Sequence, residues 1–258
     1  MSVSYCVNGR FANNLIQYFA AKVLCKLTGK EYVYNLKTHS HALGDHAFIQ
    51  VYNNLKNNNW SIEGNILLNS FYQSKEWIFP EVDFLKTLIT IDNQDRINDS
   101  YRICDIAQAL NNFKMELTDD DLIIHIRLDD FFHQGANSDV IDPYSLIELV
   151  NSLKFKNNIL ICDKLRFDWE HNYINLLLEN IPNSKLLNND LLTDFSIMYY
   201  AKNIVVSRST FSWISSILSP HVTNSWFPLR NFICMIQTID RINDKTIHYR
   251  PNYLKTKL

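Results

Sequence analysis

Residues 121–132 read DLIIHIRLDDFF and carry the clearest structural signal in this chain. Residues 122–126 are apolar apart from His125, which is typical of a strand that is buried on both faces. Arg127 follows where that strand should end. An arginine keeps its charge and suits a strand interior poorly, but it suits the carboxyl end of a strand in an open α/β sheet, where ligands bind. Arg127 is therefore either the structural partner of Asp130 at a strand end or part of a ligand site.

Strand-like and helix-like segments alternate with short connections from this stretch to the end of the chain. The pattern predicts strands over 122–126, 158–162, 185–187, 204–207 and 222–225. It predicts helices that begin near Pro143 and near Asp168 and two more over 191–201 and 210–218. Such alternation is typical of a doubly wound, mostly parallel sheet. We therefore predict an α/β fold with this sheet in a C-terminal lobe, residues 118–258.

The first part of the chain, residues 1–117, predicts a smaller and less regular α/β lobe. A strand over 2–7 leads into a turn at Asn8 and Gly9, then a helix over 13–27 and a strand over 31–34. The free N–H groups at the start of that helix form a natural anion site. Asn13 is either the cap of this helix or a ligand-binding residue, and the two roles are compatible.

The composition excludes several classes of protein. With 258 residues, 47% hydrophobic and 20% charged, the chain is ordinary for a globular protein of one or two domains. Its formal charge of -2 gives no electrostatic case for nucleic acid or a membrane surface. The five glycines are isolated from one another, so no dinucleotide-binding or P-loop motif exists and a methyltransferase with a glycine-rich loop is disfavoured.

Cysteine spacing and hydropathy bear on the compartment. The five cysteines form no CxxC pair, so neither a disulfide framework nor a zinc site is indicated. The chain starts without a signal-peptide pattern, and no stretch approaches the roughly 18 apolar residues of a membrane helix. We expect a cytoplasmic enzyme of bacterial or viral type, without a membrane anchor.

Three stretches resemble the α1,2-fucosyltransferases and, more distantly, the α1,6- and protein O-fucosyltransferases. HIRLDDF at 125–131 resembles their central motif HxRRGDY. GRFANNLIQYFA at 9–20 resembles their G-R-x-G-N-Q-x-x-Q-Y-A, and SRSTFSWISSIL at 207–218 resembles their S-N-S-S-F-S-W-W-A-A-x-L. A fourth segment, NILICDKLRFDW, is similar to their F-S-D-D-x-x-W segment and places Asp163 at the aspartate. The matches follow the same order as in that family and span most of the chain.

The resemblance implies a GT-B-like fold of two Rossmann-like lobes, the N-terminal one on the acceptor side. It implies an inverting glycosyltransferase that moves fucose from GDP-fucose to a glycan hydroxyl, without an obligatory metal or other cofactor. Arg127 matches the motif arginine, and Asp130 matches the motif aspartate, which either orients Arg127 or acts as the base. The nucleotide would be held by two sets of residues: His125, Asp163, Ser207, Ser209, Thr210 and Phe211 in the C-terminal lobe, and Gly9, Arg10, Phe11, Asn13 and Asn14 in the N-terminal lobe.

Other readings of the same residues remain open. Ser209 and Thr210 are also suited to capping the helix that follows them, and Phe211 and Trp213 to core packing. Trp213 is predicted to be a core residue even if the family reading holds.

Two polar clusters invite a metal interpretation. Residues 119–121 read DDD, but the run precedes the central strand, whereas metal-dependent glycosyltransferases place their DxD motif after a strand. We therefore expect a solvated turn. The loop with His39, His41 and His46 is expected to be solvent-exposed or to face a substrate, with metal binding a weaker alternative.

The central motif departs from the family at two positions. RRGDY becomes RLDDF, so Leu128 replaces the second arginine and Asp129 replaces the glycine. Milder changes place Ala12 and Asn14 at a glycine and a glutamine. The loss of positive charge leaves the donor open: GDP-mannose or GDP-rhamnose is an alternative to GDP-fucose. A catalytically silent relative that binds glycan or nucleotide is a further alternative.

Overall fold

The chain divides into two compact units. The computed structural model describes residues 1–57, 60–128, 132, 139–229, 246–255 and 258. Unit 1 contains residues 1–111, and unit 2 contains the described residues from 112 onward. Among these residues, no helix combines the length and the apolar character that crossing a membrane requires.

Unit 1 is an α/β unit with a four-stranded parallel sheet in the order β2-β1-β4-β3. Its strands are β1 (Ser2–Tyr5), β2 (Glu31–Tyr32), β3 (His41–Leu43) and β4 (Ile66–Leu68). Its helices are α1 (Phe11–Thr28), α2 (Asp45–Lys56), α3 (Lys75–Thr87) and α4 (Ile103–Asn112). The carboxyl ends of all four strands share one edge, and the loop of residues 6–10 leaves that edge to enter α1.

The start of α1 differs from the sequence prediction. The helix begins at Phe11, with Arg10 in the capping position and no capping hydrogen bond from its side chain. Asn13 therefore lies inside the first turn and is not the cap. The helix ends at Gly29, whose positive φ of 68° permits the left-handed turn that stops it.

Unit 2 has a six-stranded sheet in the order β10-β9-β8-β5-β6-β7, in which every pairing is parallel. Its strands are β5 (Asp121–Ile126), β6 (Asn157–Cys162), β7 (Ser184–Leu187), β8 (Asn203–Val205), β9 (Asn224–Pro228) and β10 (Thr246–Tyr249). Its helices are α5 (Pro143–Leu153), α6 (Asp168–Asn180), α7 (Leu191–Tyr200) and α8 (Thr210–Leu218). The predicted α/β class and doubly wound parallel sheet are confirmed.

Strand β5 is the centre of unit 2, and each of its six residues is buried. From β5 the chain moves through β6 to β7 on one side, and then returns to build β8, β9 and β10 on the other. The order in which strands are added to the sheet therefore reverses between β5 and β8, as it does in the Rossmann fold. This point is the topological switch point of the sheet. In open α/β sheets, ligands bind in the crevice at the carboxyl ends of the two strands that flank such a switch point.

The acidic run before β5 is only partly the solvated turn that its sequence predicts. Asp119 and Asp120 are exposed, but Asp121 is the first residue of β5 and is 8% exposed. Its carboxylate accepts hydrogen bonds from the backbone N–H of Thr118 at 2.6 Å and from Asn157 Nδ2 at 2.8 Å. Asp121 therefore fixes the start of the central strand from the edge opposite the switch point.

Candidate functional site

Three loops meet at the carboxyl edge of the unit 2 sheet because their strands are neighbours in the order β8-β5-β6. Arg127 follows β5, Asp163 follows β6, and Ser207 lies just beyond β8. The sequence predicted that polar residues after successive strands would gather at one edge. The structure brings these three residues, which are separated by up to 80 positions in the chain, to that edge.

Arg127 lies directly after the carboxyl end of β5 and forms an ion pair with Asp163. The arginine side chain is only 9% exposed, whereas the aspartate is 49% exposed. A guanidinium that is this buried requires a negative partner, because desolvation penalises a lone charge. Asp163 supplies that charge and holds the planar group in place. Asp130, the other predicted partner and the predicted catalytic aspartate, lies outside the described residues, so its role stays a prediction.

His125 lies inside β5 and connects the two strands at the switch point. Its Nδ1 is 2.7 Å from Ser207 Oγ, and both residues are buried. Burial, reinforced by the nearby positive charge of Arg127, lowers the pKa of His125 to about 3. The imidazole is therefore neutral near pH 7 and acts as a hydrogen-bonding group, not as a cation.

Helix α8 points its N-terminus at the same edge. Ser209 caps the helix and accepts a hydrogen bond from the backbone N–H of Phe211 at 3.3 Å. Ser207 Oγ accepts from the backbone N–H of Ser209 at 3.2 Å, so the hydroxyl that holds His125 also fixes the start of the helix. Thr210 is the first helical residue and is partly exposed. This arrangement presents a helix N-terminus, which favours anions, next to Arg127.

The aromatic residues of the third motif pack against the protein. The ring of Phe211 lies 5.9 Å from that of His125 and 6.0 Å from that of Phe195, measured between centroids. Trp213 is buried and stacks on Phe227 at 5.4 Å, so it is a core residue as expected.

A small pocket opens at the switch point and is lined by His125, Arg127, Asp139, Ile141, Tyr173 and Ser207, among others. Its volume of about 10 Å³ suits a single water molecule. A ligand as large as a nucleotide would therefore lie over this pocket rather than within it. The polar atoms of the pocket would face such a ligand from below.

Sequence reasoning missed a second arginine at this edge. Arg208 lies between Ser207 and Ser209, and its Nε is 3.2 Å from Asp139 Oδ1. The signal was present in the sequence, because SRST places an arginine where the related motif has asparagine. Its relevance becomes clear only when Asp139 is seen to line the pocket together with Arg127.

In unit 1, the turn before α1 depends on Gly9. The residue has a φ of +78°, and an added Cβ would lie 2.3 Å from Asn13 Nδ2. A side chain at this position would force the Asn13 side chain to move and would strain the backbone, because residues other than glycine rarely adopt this positive φ. Asn13 Oδ1 accepts a hydrogen bond from Gln73 Nε2 at 2.9 Å, so Asn13 ties the turn to the segment after β4.

The other predicted residues of this loop divide into supporting and exposed groups. Asn14 is buried; it donates to the backbone carbonyl of Asn8 at 3.0 Å and accepts from Asn98 Nδ2 at 3.1 Å. Phe11 is buried edge-on against Tyr101 at 5.1 Å. Arg10 is exposed. Contact between these residues and a nucleotide stays a prediction.

A larger pocket lies at the carboxyl edge of the unit 1 sheet and has a volume of about 250 Å³. It is lined by Tyr5, Val7, Tyr34, Asn35, Leu36 and Asp99, among others. The hydroxyl of Tyr34 donates to Asp99 Oδ1 at 2.9 Å, and burial together with this bond raises the pKa of Tyr34 to about 12. The pocket thus combines tyrosine rings with an exposed carboxylate. No sequence motif indicates this pocket.

The histidine-rich loop shows no site of its own. His39, His41 and His46 are all exposed. Asp45 accepts from the backbone N–H of Tyr72 at 2.7 Å and so has a structural function. Within the described part of the chain, no three His, Cys, Asp or Glu side chains are grouped as metal ligands would be.

Comparison with solved structures finds a likeness of low similarity. No protein-family model matches the chain. No curated protein sequence matches it either. A crystal structure of POFUT1 in complex with GDP aligns with a TM-score of 0.39 and 13% sequence identity, over 87% of this chain and 72% of that chain. Similarity at this level carries no functional argument.

Proposed function

We propose that this protein is an inverting glycosyltransferase that transfers fucose from GDP-fucose to a hydroxyl group of a glycan. One observation carries the proposal: Arg127 and the N-terminus of α8 lie together at the switch point between β5 and β8. The order and character of the three motifs, which resemble those of fucosyltransferases, support the choice of fucose and of GDP.

The reaction requires stabilisation of a departing diphosphate. The acceptor oxygen attacks the anomeric carbon of the sugar while the bond from that carbon to the phosphate oxygen breaks. Negative charge then grows on the leaving GDP, and a preorganised positive group at that point lowers the barrier. A guanidinium grips two phosphate oxygens at once, and the first-turn amides of a helix add further donors. Arg127 and α8 meet this requirement.

Asp163 and His125 hold Arg127 and the N-terminus of α8 in position. Asp163 holds the guanidinium of Arg127 at the edge, so little side-chain ordering remains when the donor binds. His125 stays neutral and fixes Ser207, which in turn fixes the capping residue of α8. We assign His125 and Ser207 to positioning of the phosphate site rather than to charge neutralisation.

We propose two roles for Asp130 on the resemblance alone: it orients Arg127, or it takes the proton of the acceptor hydroxyl as the base. Within the described residues Asp163 is an ion-pair partner of Arg127, and this pair is compatible with either role of Asp130.

We assign the acceptor to unit 1 and the donor to unit 2. The unit 1 pocket offers the tyrosine ring of Tyr34 and the exposed carboxylate of Asp99, which suit the apolar faces and the hydroxyl groups of a sugar. No metal or other cofactor is needed in this proposal, because Arg127 and α8 perform the role that a metal has in other transferases. The partners are a nucleotide sugar and a glycan.

A different donor is the second candidate, and Leu128 is the observation that favours it. The side chain of Leu128 is 4% exposed and packs in the hydrophobic core of unit 2. The second arginine of the related motif is thus absent from this position. A transferase that uses GDP-mannose or GDP-rhamnose, or a silent nucleotide-binding relative, would tolerate the change.

A thermal-shift panel of GDP, UDP, dTDP and ADP tests the proposal. A ligand at roughly 100 times its dissociation constant stabilises the folded state by about 2.7 kcal/mol, which gives a clear rise in melting temperature. We expect GDP to give the largest shift, and we expect EDTA to leave that shift unchanged. Preference for UDP or dTDP would exclude a GDP-sugar donor, and loss of the GDP shift in EDTA would show that a metal is required.

A further inference from the structure

The loop after β8 carries a positive charge that the central motif does not supply. At position 128 the side chain faces the core, where Leu128 packs with residues such as Val140, Leu146 and Trp169. Arg127 is then the one cation that the motif itself places at the switch point. A diphosphate carries at least two negative charges near neutral pH, so a single guanidinium leaves part of that charge unmatched.

Arg208 lies on the opposite side of the same crevice. It follows β8, whereas Arg127 follows β5, and these two strands flank the switch point. Its side chain is 16% exposed, and its partner Asp139 lines the small pocket together with Arg127 and Ser207. The guanidinium of Arg208 is therefore held beside the pocket that Arg127 also lines.

The contact between Arg208 and Asp139 leaves donor capacity in the guanidinium. Nε lies 3.2 Å from Asp139 Oδ1, close enough for an ion pair, but the geometry is not that of a hydrogen bond. Within the described residues this buried Nε donates to no acceptor. A buried N–H group without an acceptor is costly, so the contact with Asp139 leaves this guanidinium incompletely satisfied.

We propose that Arg208 is the second diphosphate-binding cation of this protein and replaces the charge missing at Leu128. The inference rests on the proposed function, because it specifies how the GDP moiety is held at that site. Asp163 and Asp139 each keep one arginine in position without ligand, and the diphosphate then binds between the guanidinium groups that follow β5 and β8. Two planar cations on opposite sides of the phosphates give bidentate recognition that one arginine does not provide.

This assignment predicts that Arg208 recognises the phosphates and not the guanine base. The ratio of the GMP to the GDP dissociation constant measures the contribution of the second phosphate. We expect Arg208→Gln to weaken GDP binding by about 10- to 100-fold, which corresponds to about 1.4–2.7 kcal/mol. We expect a smaller loss of affinity for GMP, so that the ratio of the GMP to the GDP dissociation constant falls. We expect Arg208→Lys to restore this ratio only in part.

Isothermal titration of GDP and GMP into the wild-type protein and the variants provides the test. Lys202→Gln is the matched control: Lys202 precedes β8 at the opposite end of the strand and pairs with Asp119 at 3.3 Å. It removes one positive charge and one ion pair from the same unit, and we expect it to leave both dissociation constants unchanged. Melting curves without ligand establish that each variant is folded.

The possible results separate the two proposals. If the wild-type protein binds GDP and Arg208→Gln leaves the affinity ratio unchanged, Arg208 is a structural residue and this inference is wrong, while the proposed function stands. If Arg208→Gln does not fold, Arg208→Lys supplies the ratio, and an unchanged ratio in that variant also overturns the inference. If the wild-type protein binds neither nucleotide, the proposed function itself fails.

Discussion

The proposed function depends on Arg127, and two roles are compatible with the position of this residue. In one role its guanidinium stabilises a leaving diphosphate. In the other it only neutralises Asp163 at the end of β5 and β6. The ion pair alone is consistent with both roles, because a buried arginine needs a partner in either case. Kinetics of variants separate them.

Arg127→Ala is expected to lower the turnover number by about 100- to 1000-fold, since loss of one preorganised electrostatic contact to the transition state typically costs about 3–4 kcal/mol. Arg127→Lys is expected to restore little, because an ammonium group keeps the charge but loses the two-point grip. The measurement is turnover per folded molecule, with the folded fraction determined from melting curves. Near-wild-type turnover in Arg127→Ala, together with reduced stability, would assign Arg127 a purely structural role.

The sequence predicted the position of Arg127 but not its environment. The end of an apolar strand and the motif both place an arginine at the carboxyl edge. Its partner Asp163 lies 36 positions away, and the sequence assigned that residue to the nucleotide. Which of several aspartates meets the arginine depends on strand order, and strand order follows from packing of the whole sheet rather than from local pattern.

At the scale of elements, the hydrogen bond between His125 and Ser207 connects β5, β8 and the start of α8. This connection requires a neutral histidine. The folded-state pKa of His125 is about 3, whereas the value in an unfolded chain is about 6.5. Between these two values the unfolded chain binds more protons than the folded protein, so the free energy of unfolding falls as the pH falls.

Titration of His125 is expected to lower the free energy of unfolding by about 2 kcal/mol between pH 7 and pH 5. His125→Asn removes this titration and should flatten the acid limb of the stability curve, although it lowers stability at pH 7. Asp194 acts in the opposite direction, since burial raises its pKa to about 6 and its protonation stabilises the folded protein as the pH falls to about 4. The measurement is therefore the difference between the urea unfolding free energies of wild type and variant across pH 4–7. A difference that does not change with pH would show that His125 is not held neutral.

Element types were predicted more accurately than element ends. The span predicted for α8, 210–218, agrees with the structure because a serine cap precedes an apolar helical pattern. The helix α1 begins earlier than predicted because Phe11 and Ala12 continue the buried face, which the polar Asn13 had obscured. Strand β3 gave no alternating pattern, since it is short and two of its three residues are exposed.

At the scale of the whole molecule, the two units carry different kinds of pocket. Unit 2 presents guanidinium groups and a helix N-terminus at its sheet edge, which suit an anion. Unit 1 presents tyrosine rings and the exposed carboxylate of Asp99, which suit a neutral polyhydroxyl ligand and would repel a diphosphate. The sequence could not reveal the unit 1 pocket, because Tyr34 and Asp99 are 65 residues apart and belong to no motif.

Asp99 is the residue of the unit 1 pocket that we expect to bind the acceptor. Its carboxylate accepts from Tyr34 and is exposed at the pocket, so it has capacity to accept hydrogen bonds from sugar hydroxyls. Loss of one such charge-assisted bond costs about 1.5 kcal/mol, which is roughly tenfold in affinity. Asp99→Asn should therefore raise the KM for the acceptor glycan by about tenfold, while the GDP dissociation constant stays at the wild-type value. Asp92→Asn, an exposed aspartate of unit 1 that does not line the pocket, serves as the control. A change in GDP affinity in Asp99→Asn, or an unchanged acceptor KM, would remove the unit 1 pocket from acceptor binding.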